Sequence, residues 1–428
     1  MSAGTDSRHS GFHEVSAPAE MTKDPEMKVV IIGNGVAGVS VAKELRAREP
    51  SPEALEVSVY TRENYNYYSR IRLPEVFGGG ALSAELLALY KPGWYVDHHI
   101  AVYIGTEVVA IDRGRRSVML SSGENRSYDA LVLALGADPV RPSLPGSALP
   151  GIFTVREYDD AARVRNSVLA HPESAAVIGG GLLGLEAAHH LRSLGAGCVT
   201  VLEIAPRLLP KQLDPYGASF LERHLTARGL QIMTGTQLSS FEGGDRLEGL
   251  VAATGGEVRM IGAGTAVVSM GVRPRIGLAK ANGLDCNRGI VVDSFLRTLE
   301  PSIYAVGDCA EFRGAVPGII PVALEQAPHC ASAILGDESR PYEGSIPHNT
   351  LKVAGIDVFS AGIVEYGAGE AVEEIRLAAD PGRYERYLLR DGVLAGAIVI
   401  GSRQKARLVQ PRLGTPMLRS DIERLTAE

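Results

Sequence analysis

The sequence predicts an α/β protein with two Rossmann-like parallel-sheet domains followed by a C-terminal α+β domain. Two observations predict the parallel sheets: a strand, a glycine-rich turn, a helix and a second strand follow one another near the N terminus, and the same order occurs again in mid-chain. A third observation is the change after about residue 345, where short strand-like runs alternate with turn residues. The length of 428 residues leaves room for about two to four domains.

The bounds of the predicted elements follow from the apolar runs. The first unit consists of strand Lys28–Ile32, helix Val36–Arg48 and strand Leu55–Tyr60. The second consists of strand Ala175–Ile178, helix Leu182–Leu194 and strand Cys198–Leu202. In the last part of the chain, the predicted strands are Thr350–Val353, Asp357–Gly362, Tyr384–Arg390 and Val393–Ile400, with turns at Ala354–Gly355 and Asp391–Gly392.

The first glycine turn is Gly33-Asn34-Gly35-Val36-Ala37-Gly38. Gly33 permits the tight turn, Gly35 lets the backbone approach a pyrophosphate, and Gly38 lets helix and strand pack closely. The helix that follows offers free N–H groups and a positive partial charge to phosphates. A motif of this kind is weak alone, but its place between a strand and a helix predicts a dinucleotide site.

The second glycine turn is Gly179-Gly180-Gly181-Leu182-Leu183-Gly184, and Glu203 ends the next strand about 20 residues further on. An acid at that place accepts hydrogen bonds from both ribose hydroxyls and repels a 2′-phosphate. We therefore expect NADH rather than NADPH here, although the nearby Arg207 leaves some use of NADPH open. The first motif has Thr61 at the corresponding position, so its ribose contact is assigned to Glu63, with a plain turn carboxylate as the alternative.

A third signal is the apolar run Ser302–Ala310, which contains Gly307-Asp308. An Asp at the end of a strand, after a glycine that allows close approach, can hydrogen-bond a sugar-like hydroxyl, here the ribityl chain of FAD. Together with the two glycine turns, this pair predicts a protein that holds two dinucleotides.

Five segments describe the predicted domain organisation. They are a disordered lead-in at residues 1–27, a first part of the FAD domain at 28–146, the NAD domain at 147–266, a second part of the FAD domain at 267–340 and the α+β domain at 341–428.

Composition excludes some classes of function. The formal net charge of −7 argues against a nucleic-acid partner. None of the four cysteines forms a CxxC pair, so neither a redox dithiol nor a metal site is indicated, and we expect a reducing, cytoplasmic setting. The sequence contains no apolar run of the length of a membrane span.

The two turns and the Gly-Asp pair resemble the pyridine nucleotide-disulfide oxidoreductase superfamily, and the resemblance runs from about Lys28 to Leu425. Within it, three stretches look like NADH:rubredoxin reductases, the FAD-containing part of assimilatory nitrite reductases and the reductases of Rieske-type ferredoxins. These stretches are Tyr67–Pro74, Ala205–Asp214 and Leu351–Ser360.

The resemblance implies further contacts with the cofactors. It places Arg70 at the FAD diphosphate, Glu325 at the flavin pyrimidine in a helix that runs to Ile334, and Glu186 near the nicotinamide, where it positions or polarises the ring. Glu186 is expected in the first turn of helix Leu182–Leu194, where a helix-start acid favoured by the dipole is the alternative. A surface arginine is the alternative for Arg70. The remaining implied FAD contacts are Val108, Ala134 and Gly136, and the implied NAD contact is Gly271.

Several residues differ from those of the superfamily, and the differences exclude some of its activities for this chain. No cysteine stands in Ser69–Val76, where disulfide reductases and peroxide-reducing relatives carry theirs, and Glu75 stands where the ferredoxin reductases have a lysine. Leu135 replaces a threonine, and Arg275 replaces an asparagine. No Cys-rich cluster follows residue 330, so the iron–sulfur and siroheme parts of nitrite reductase are absent from this chain.

The predicted function is transfer of hydride from NADH to FAD, and of electrons onward to a rubredoxin- or ferredoxin-type protein or to a partner reductase subunit. Two alternatives stay open: an NADH oxidase or quinone reductase, and a redox-controlled binding protein resembling apoptosis-inducing factor. A homodimer is possible.

Overall fold

The structure is a computed structural model that describes residues 14–16, 25–78, 82–380 and 382–427. The chain forms two compact units. The first comprises Met1–Tyr68, Ala84–Ala137 and Pro274–Gly344, and the second comprises Ser69–Ser83, Asp138–Arg273 and Ser345–Glu428.

The first unit is built on a six-stranded sheet in which only the edge strand Glu14–Ser16 is antiparallel to its neighbour. In spatial order the strands are Glu14–Ser16, Ile100–Tyr103, Leu55–Tyr60, Met27–Ile32, Ala130–Leu133 and Ile303–Ala305. The central strands are buried along nearly their whole length, as expected for a parallel sheet covered on both faces.

Helices and two small sheets complete the first unit. The helices are Val36–Arg48, Ala84–Leu87, Pro92–Asp97, Gly277–Ala281 and Ile320–Ile334, with a 3₁₀ turn at Gly307–Cys309. One small sheet contains Val108–Asp112, Ser117–Leu120 and Asn125–Ser127, and the other pairs Ile290–Val292 with Ala310–Phe312.

The second unit contains a five-stranded, wholly parallel sheet. Its strands in spatial order are Ile152–Thr154, Thr265–Val268, Ser174–Ile178, Cys198–Leu202 and Leu230–Met233. The unit also has a three-stranded antiparallel sheet of Thr236–Glu242, Gly249–Thr254 and Glu257–Gly262. Its helices are Leu73–Phe77, Tyr158–Ala170, Leu182–Leu194, Pro215–Thr226, Arg403–Val409 and Arg419–Ala427, with 3₁₀ turns at Arg70–Arg72 and Gln410–Arg412.

The C-terminal part of the second unit is a five-stranded antiparallel sheet. Its spatial order is His348–Val353, Ile356–Gly362, Val393–Ile400, Arg383–Arg390 and Val372–Asp380. Both predicted turns have positive φ at their two central residues: 47° and 85° at Ala354–Gly355, and 52° and 73° at Asp391–Gly392. This is the backbone of a type I′ hairpin turn, which matches the twist of the flanking strands.

Two short strands, Ala137–Pro139 and Val272–Pro274, lie where the chain passes from one unit to the other. The predicted α/β class, with two parallel sheets and a C-terminal antiparallel sheet, is confirmed. Of the predicted lead-in, the structure describes Glu14–Ser16 and residues 25–27, and the rest lies outside the described residues. The five-segment division of the chain stays a prediction. Among the described helices, none has the combination of length and apolar character needed to cross a membrane.

Candidate functional sites

The first glycine turn lies at the carboxyl edge of the first sheet. Ile32 aligns with Tyr60 and with Leu133, so the residues that follow these three strands meet at one edge. Gly33 has φ of 116°, and a Cβ atom there would lie 2.2 Å from the carbonyl oxygen of Ala134. The turn therefore requires glycine at Gly33 and is packed directly against Ala134.

The other two glycines of this turn have different roles. A Cβ atom at Gly38 would lie 2.0 Å from the carbonyl oxygen of Gly33, so this glycine lets the helix approach the turn. A Cβ atom at Gly35 would have no atom of the described residues within 4 Å. Gly35 is thus open on the side from which a pyrophosphate would reach the start of helix Val36–Arg48, where Val36 and Ala37 form the first turn.

The second glycine turn repeats this geometry in the second unit. Gly179 has φ of 117°, and a Cβ atom there would lie 2.2 Å from the carbonyl oxygen of Ser269. A Cβ atom at Gly184 would lie 2.1 Å from the carbonyl oxygen of Gly179, whereas one at Gly181 would meet none of the described atoms within 4 Å. Leu182 and Leu183 begin the helix behind this turn. In both units, therefore, the first and last glycines of the turn are packed against backbone, whereas the middle glycine is open.

Asn34 in the first turn is a residue whose role the sequence did not predict. Its side chain is 8% exposed, and within the described part of the chain its Nδ2 has no hydrogen-bond partner. Its Oδ1 receives a long 3.5 Å hydrogen bond from the Tyr95 hydroxyl. A buried amide group that lacks a partner is costly, so an orphaned donor beside an open glycine fits an acceptor-rich ligand such as a pyrophosphate. Asn66 has a buried Oδ1 that is equally unpaired among the described residues.

The Gly307-Asp308 pair reaches the same edge of the first sheet. Strand Ile303–Ala305 runs beside Ala130–Leu133, and the pair follows it. A Cβ atom at Gly307 would lie 2.7 Å from the side chain of Ala37, in helix Val36–Arg48. Asp308 therefore follows directly after the residue that packs against this helix. The structure thus brings together four residues predicted at FAD: Gly33, Ala37, Ala134 and Gly307.

Helix Ile320–Ile334 ends where predicted but begins earlier than a start at Glu325. Glu325 is therefore its sixth residue and is exposed, and the amide groups that lack an intrahelical acceptor belong to the turn that starts at Ile320. The neighbouring Gln326 is buried, and its Oε1 accepts a 2.7 Å hydrogen bond from the Gly307 N–H. Gln326, which the sequence did not single out, thereby holds the Gly-Asp turn.

Other residues predicted at FAD are found in defined settings. The Glu63 carboxylate accepts a 2.6 Å hydrogen bond from the Tyr68 hydroxyl, and Arg70 donates to the Arg156 carbonyl at 2.6 Å within the second unit. Val108 is buried at the start of its strand, and Gly136 has φ of 71°. Their contacts with FAD stay predictions.

Glu203 is joined to the second glycine turn. Strands Ser174–Ile178 and Cys198–Leu202 end in register, so Glu203 lies beside Gly179. Its carboxylate accepts 2.7 Å hydrogen bonds from the N–H groups of Gly180 and Ala205. These two hydrogen bonds fix the position of the carboxylate. Each of its oxygens can accept a second hydrogen bond, so the carboxylate can still accept hydrogen bonds from ribose hydroxyls.

Exposed apolar side chains follow the strands that end beside this turn. Leu183 is 45% exposed and Ile204 is 71% exposed. Met270 and Val272, on either side of Gly271, are also exposed. All follow the carboxyl ends of parallel strands, the edge at which open α/β sheets bind ligands.

Glu186 lies further along its helix than predicted. Helix Leu182–Leu194 has no acidic residue in its first turn, because Glu186 is its fifth residue. Burial, followed by the negative charge of Glu75, raises the pKa of Glu186 to about 8. Because the effect of the helix dipole falls off within the first turn, this position does not favour the alternative of a helix-start acid. At neutral pH this carboxyl keeps its proton and can donate a hydrogen bond.

Glu186→Gln is expected to flatten the dependence of stability on pH. A carboxyl whose pKa rises from 4.5 to about 8 on folding stabilises the folded state below pH 4.5, and this contribution is lost as the pH rises through about 8. The loss is at most about 1.4 kcal/mol per pH unit in this window. Thermal unfolding at a series of pH values measures it, with Glu222→Gln as a control on another helix. Parallel curves for Glu186→Gln and the unmodified protein would contradict the assignment.

Cys309 is a packing residue in this structure. Its thiol is fully buried, donates to the Leu133 carbonyl at 3.2 Å, and has its pKa raised by burial to about 11. A thiol that stays protonated is a poor nucleophile, so Cys309 does not supply the missing redox cysteine.

Comparison with known proteins agrees with this arrangement. Residues 27–329 match the family described as pyridine nucleotide-disulphide oxidoreductase. Residues 347–411 match the family described as the rubredoxin NAD+ reductase C-terminal domain.

Three similar proteins cover most of this chain. The assimilatory nitrate reductase electron transfer subunit of Bacillus subtilis (strain 168) is 35% identical over 91% of this chain and 49% of its own length. The ferredoxin reductase component of chlorobenzene dioxygenase from Cupriavidus sp. (strain PS12) is 34% identical over 90% of this chain and 92% of its own. Putidaredoxin reductase in its covalent complex with putidaredoxin has a TM-score of 0.81 at 27% identity, over 94% of this chain and 99% of the other. The chain spans about half the length of the first of these relatives.

Proposed function

This chain belongs to the pyridine nucleotide-disulphide oxidoreductase family, and we propose that it is an FAD-dependent reductase that oxidises NADH and passes electrons to a small redox protein. The observation that carries the proposal is the repeated turn: in each compact unit the glycine turn between strand and helix has an open side, and the Glu203 carboxylate is hydrogen-bonded to the second turn. FAD is assigned to the first turn and NADH to the second.

The residues assigned to FAD offer a site that fits a dinucleotide. Gly35 leaves space, Asn34 supplies a buried donor without a described partner, and the first turn of helix Val36–Arg48 supplies amide groups. Asp308 would accept hydrogen bonds from the ribityl hydroxyls. The hydrogen bond from Gly307 to Gln326 holds the turn in which Asp308 lies. Bound FAD would supply the capacity to accept hydride and to release electrons singly.

The residues assigned to NADH fix one end of the coenzyme. Glu203 would bind the adenosine ribose, Gly181 would face the pyrophosphate, and Gly271 would lie at the nicotinamide. The neutral Glu186 carboxyl would orient the nicotinamide by donating a hydrogen bond, as a positioning group that removes no proton. Orientation of this kind contributes to rate by holding reactants in a reactive geometry.

The acceptor is proposed to be a rubredoxin- or ferredoxin-type protein or a partner reductase subunit. Three relatives support this: a nitrate reductase electron transfer subunit, a ferredoxin reductase component and a reductase crystallised with putidaredoxin. The absence of cysteine from Ser69–Val76 disfavours a disulfide substrate. A cytoplasmic location, proposed from the unpaired cysteine pattern, is compatible with such partners.

Anaerobic stopped-flow of the protein as purified tests the proposal. NADH should bleach the flavin rapidly, and rubredoxin or ferredoxin should then reoxidise it much faster than oxygen does. Faster reoxidation by oxygen or a quinone would indicate an oxidase or quinone reductase. Slow bleaching with a long-lived charge-transfer band would indicate a redox-controlled binding protein, and an absence of flavin would contradict the whole assignment.

Glu203→Ala is expected to weaken the preference for NADH over NADPH by about 1–2 kcal/mol, roughly 5- to 30-fold in the ratio of kcat/KM. The change removes the ribose acceptor and the charge that repels a 2′-phosphate. Steady-state rates with both coenzymes measure it, and Glu257→Ala on an exposed strand of the same unit is the control. An unchanged ratio would remove Glu203 from the site. Thermal unfolding of both variants reports the cost of losing the two main-chain hydrogen bonds.

A further inference from the structure

The loop Ile204–Asp214 is fastened to the second glycine turn. The Leu209 N–H donates to the Gly180 carbonyl at 3.1 Å, and Leu209 holds a left-handed φ of 48°. Leu208 is fully buried, and its side chain would lie 2.7 Å from a Cβ atom at Gly180. The loop that follows Glu203 therefore has a fixed conformation beside the proposed ribose site.

Arg207, which is one of two basic residues in this loop together with Lys211, donates its hydrogen bonds to the backbone of the same loop. Its Nε donates to the Leu213 carbonyl at 3.2 Å, and its Nη2 donates to the Pro210 carbonyl at 3.1 Å. The same Nη2 forms an ion pair with Glu365, which follows the strand Ile356–Gly362 of the C-terminal sheet. The Arg207 side chain is 20% exposed.

These contacts bear directly on coenzyme choice. An arginine close to the acid position is the group by which Rossmann domains accept a 2′-phosphate. Such an arginine binds phosphate strongly when its forked donors are free and its charge is not already neutralised. Here the loop carbonyls occupy two donor positions, and the Glu365 carboxylate neutralises the charge.

We propose that Glu365 is a positioning residue for coenzyme specificity: it holds Arg207 on its own loop, so that a 2′-phosphate would meet the Glu203 carboxylate without the Arg207 guanidinium to receive it. The inference rests on the proposed binding of NADH at the second glycine turn. It assigns to the C-terminal sheet a part in excluding NADPH.

The Glu365 side chain is 60% exposed, so its replacement removes a surface ion pair and leaves the core unchanged. Surface ion pairs contribute little to stability, and the fold should therefore survive Glu365→Gln. The Pro210 and Leu213 carbonyls still attract the guanidinium in this variant. The expected effect is thus a partial release of Arg207, and it should be largest where Glu203 no longer repels the phosphate.

Isothermal titration calorimetry of the 428-residue, flavin-loaded protein with 5′-AMP and adenosine 2′,5′-bisphosphate tests the proposal. These two probes differ only in the 2′-phosphate. Glu203→Ala/Glu365→Gln should bind the bisphosphate about tenfold more tightly than Glu203→Ala does, and the affinity for 5′-AMP should stay the same. The gain should shrink at high salt, as a contact between charges requires.

Two further variants show whether Arg207 carries the effect. Adding Arg207→Gln to the double variant should abolish the gain. Glu370→Gln, which breaks the exposed ion pair with Arg390 in the same unit, should leave both affinities unchanged. If Glu203→Ala does not fold, Glu365→Gln alone should still bind the bisphosphate roughly threefold more tightly than the unmodified protein.

The outcomes separate this inference from the proposed function. Equal affinity for the bisphosphate with and without Glu365, in a protein that binds 5′-AMP and is reduced by NADH, would overturn the role of Glu365 alone. A gain that persists after Arg207→Gln would overturn it too. Failure of the unmodified protein to bind 5′-AMP or to be reduced by NADH would instead overturn the assignment of the second turn.

Discussion

Gly35→Val is expected to give a folded protein that does not retain FAD. A Cβ atom at Gly35 meets no described atom within 4 Å, so the chain itself can accept a side chain there. The valine would fill the open side of the first turn and obstruct the amide groups at the start of helix Val36–Arg48. We expect FAD affinity to fall by at least about 100-fold. The ratio of flavin to protein absorbance after purification, with circular dichroism as a check of folding, measures this.

Two other glycine substitutions show whether a loss of FAD comes from an obstructed site or from a disturbed fold. Gly93→Val lies in the same unit, also has no described neighbour within 4 Å, and should retain FAD. Gly33→Ala places a Cβ atom 2.2 Å from the Ala134 carbonyl oxygen at a φ of 116°, so it should disturb the fold itself. A Gly35→Val protein that keeps its flavin at full occupancy would show that the first turn does not hold FAD.

Gly181→Val is expected to retain FAD and to lose reduction by NADH. Gly181 is open in the same way as Gly35, but it lies in the second unit, beside the fixed carboxylate of Glu203. Obstruction of the coenzyme pyrophosphate should lower kcat/KM for NADH by at least about 100-fold. Anaerobic bleaching of the flavin by NADH measures the effect, and dithionite, which needs no coenzyme site, should still bleach it.

The control for this change is Gly262→Val, at the end of an exposed strand of the same unit, where a Cβ atom also has no described neighbour within 4 Å. It should be reduced by NADH at the normal rate. If Gly181→Val lacks FAD while Gly35→Val retains it, the two cofactors are assigned to the wrong turns.

The prediction was most accurate for structure that depends on residues close together in the sequence. Helices Val36–Arg48 and Leu182–Leu194 have the bounds predicted from the glycines that precede them and the apolar spacing within them. The Asp391–Gly392 turn was readable because only a few residues accept a positive φ at two successive positions. The predicted family is likewise confirmed, because its motifs are short and contiguous.

Errors arose where a boundary depended on packing. The prediction left open whether the helix begins at Glu325 or before it; the helix begins at Ile320, with a proline in its first turn, where proline is favoured. Glu186 was placed one turn too early, and its raised pKa depends on burial and on Glu75, which is remote in sequence. Neither burial nor a facing charge from another helix can be read from a local motif.

The α/β class, the two dinucleotide turns, the acid that follows the second turn and the family could all be read from the sequence. Each of these rests on residues whose spacing fixes their geometry within one strand–turn–helix unit. Three features could not be read from it: Gln326 holds Gly307, Asn34 has a buried donor without a described partner, and Glu365 holds Arg207. Each of them depends on residues that are far apart in the chain, so the burial and the hydrogen bonds arise only when the fold brings these residues together.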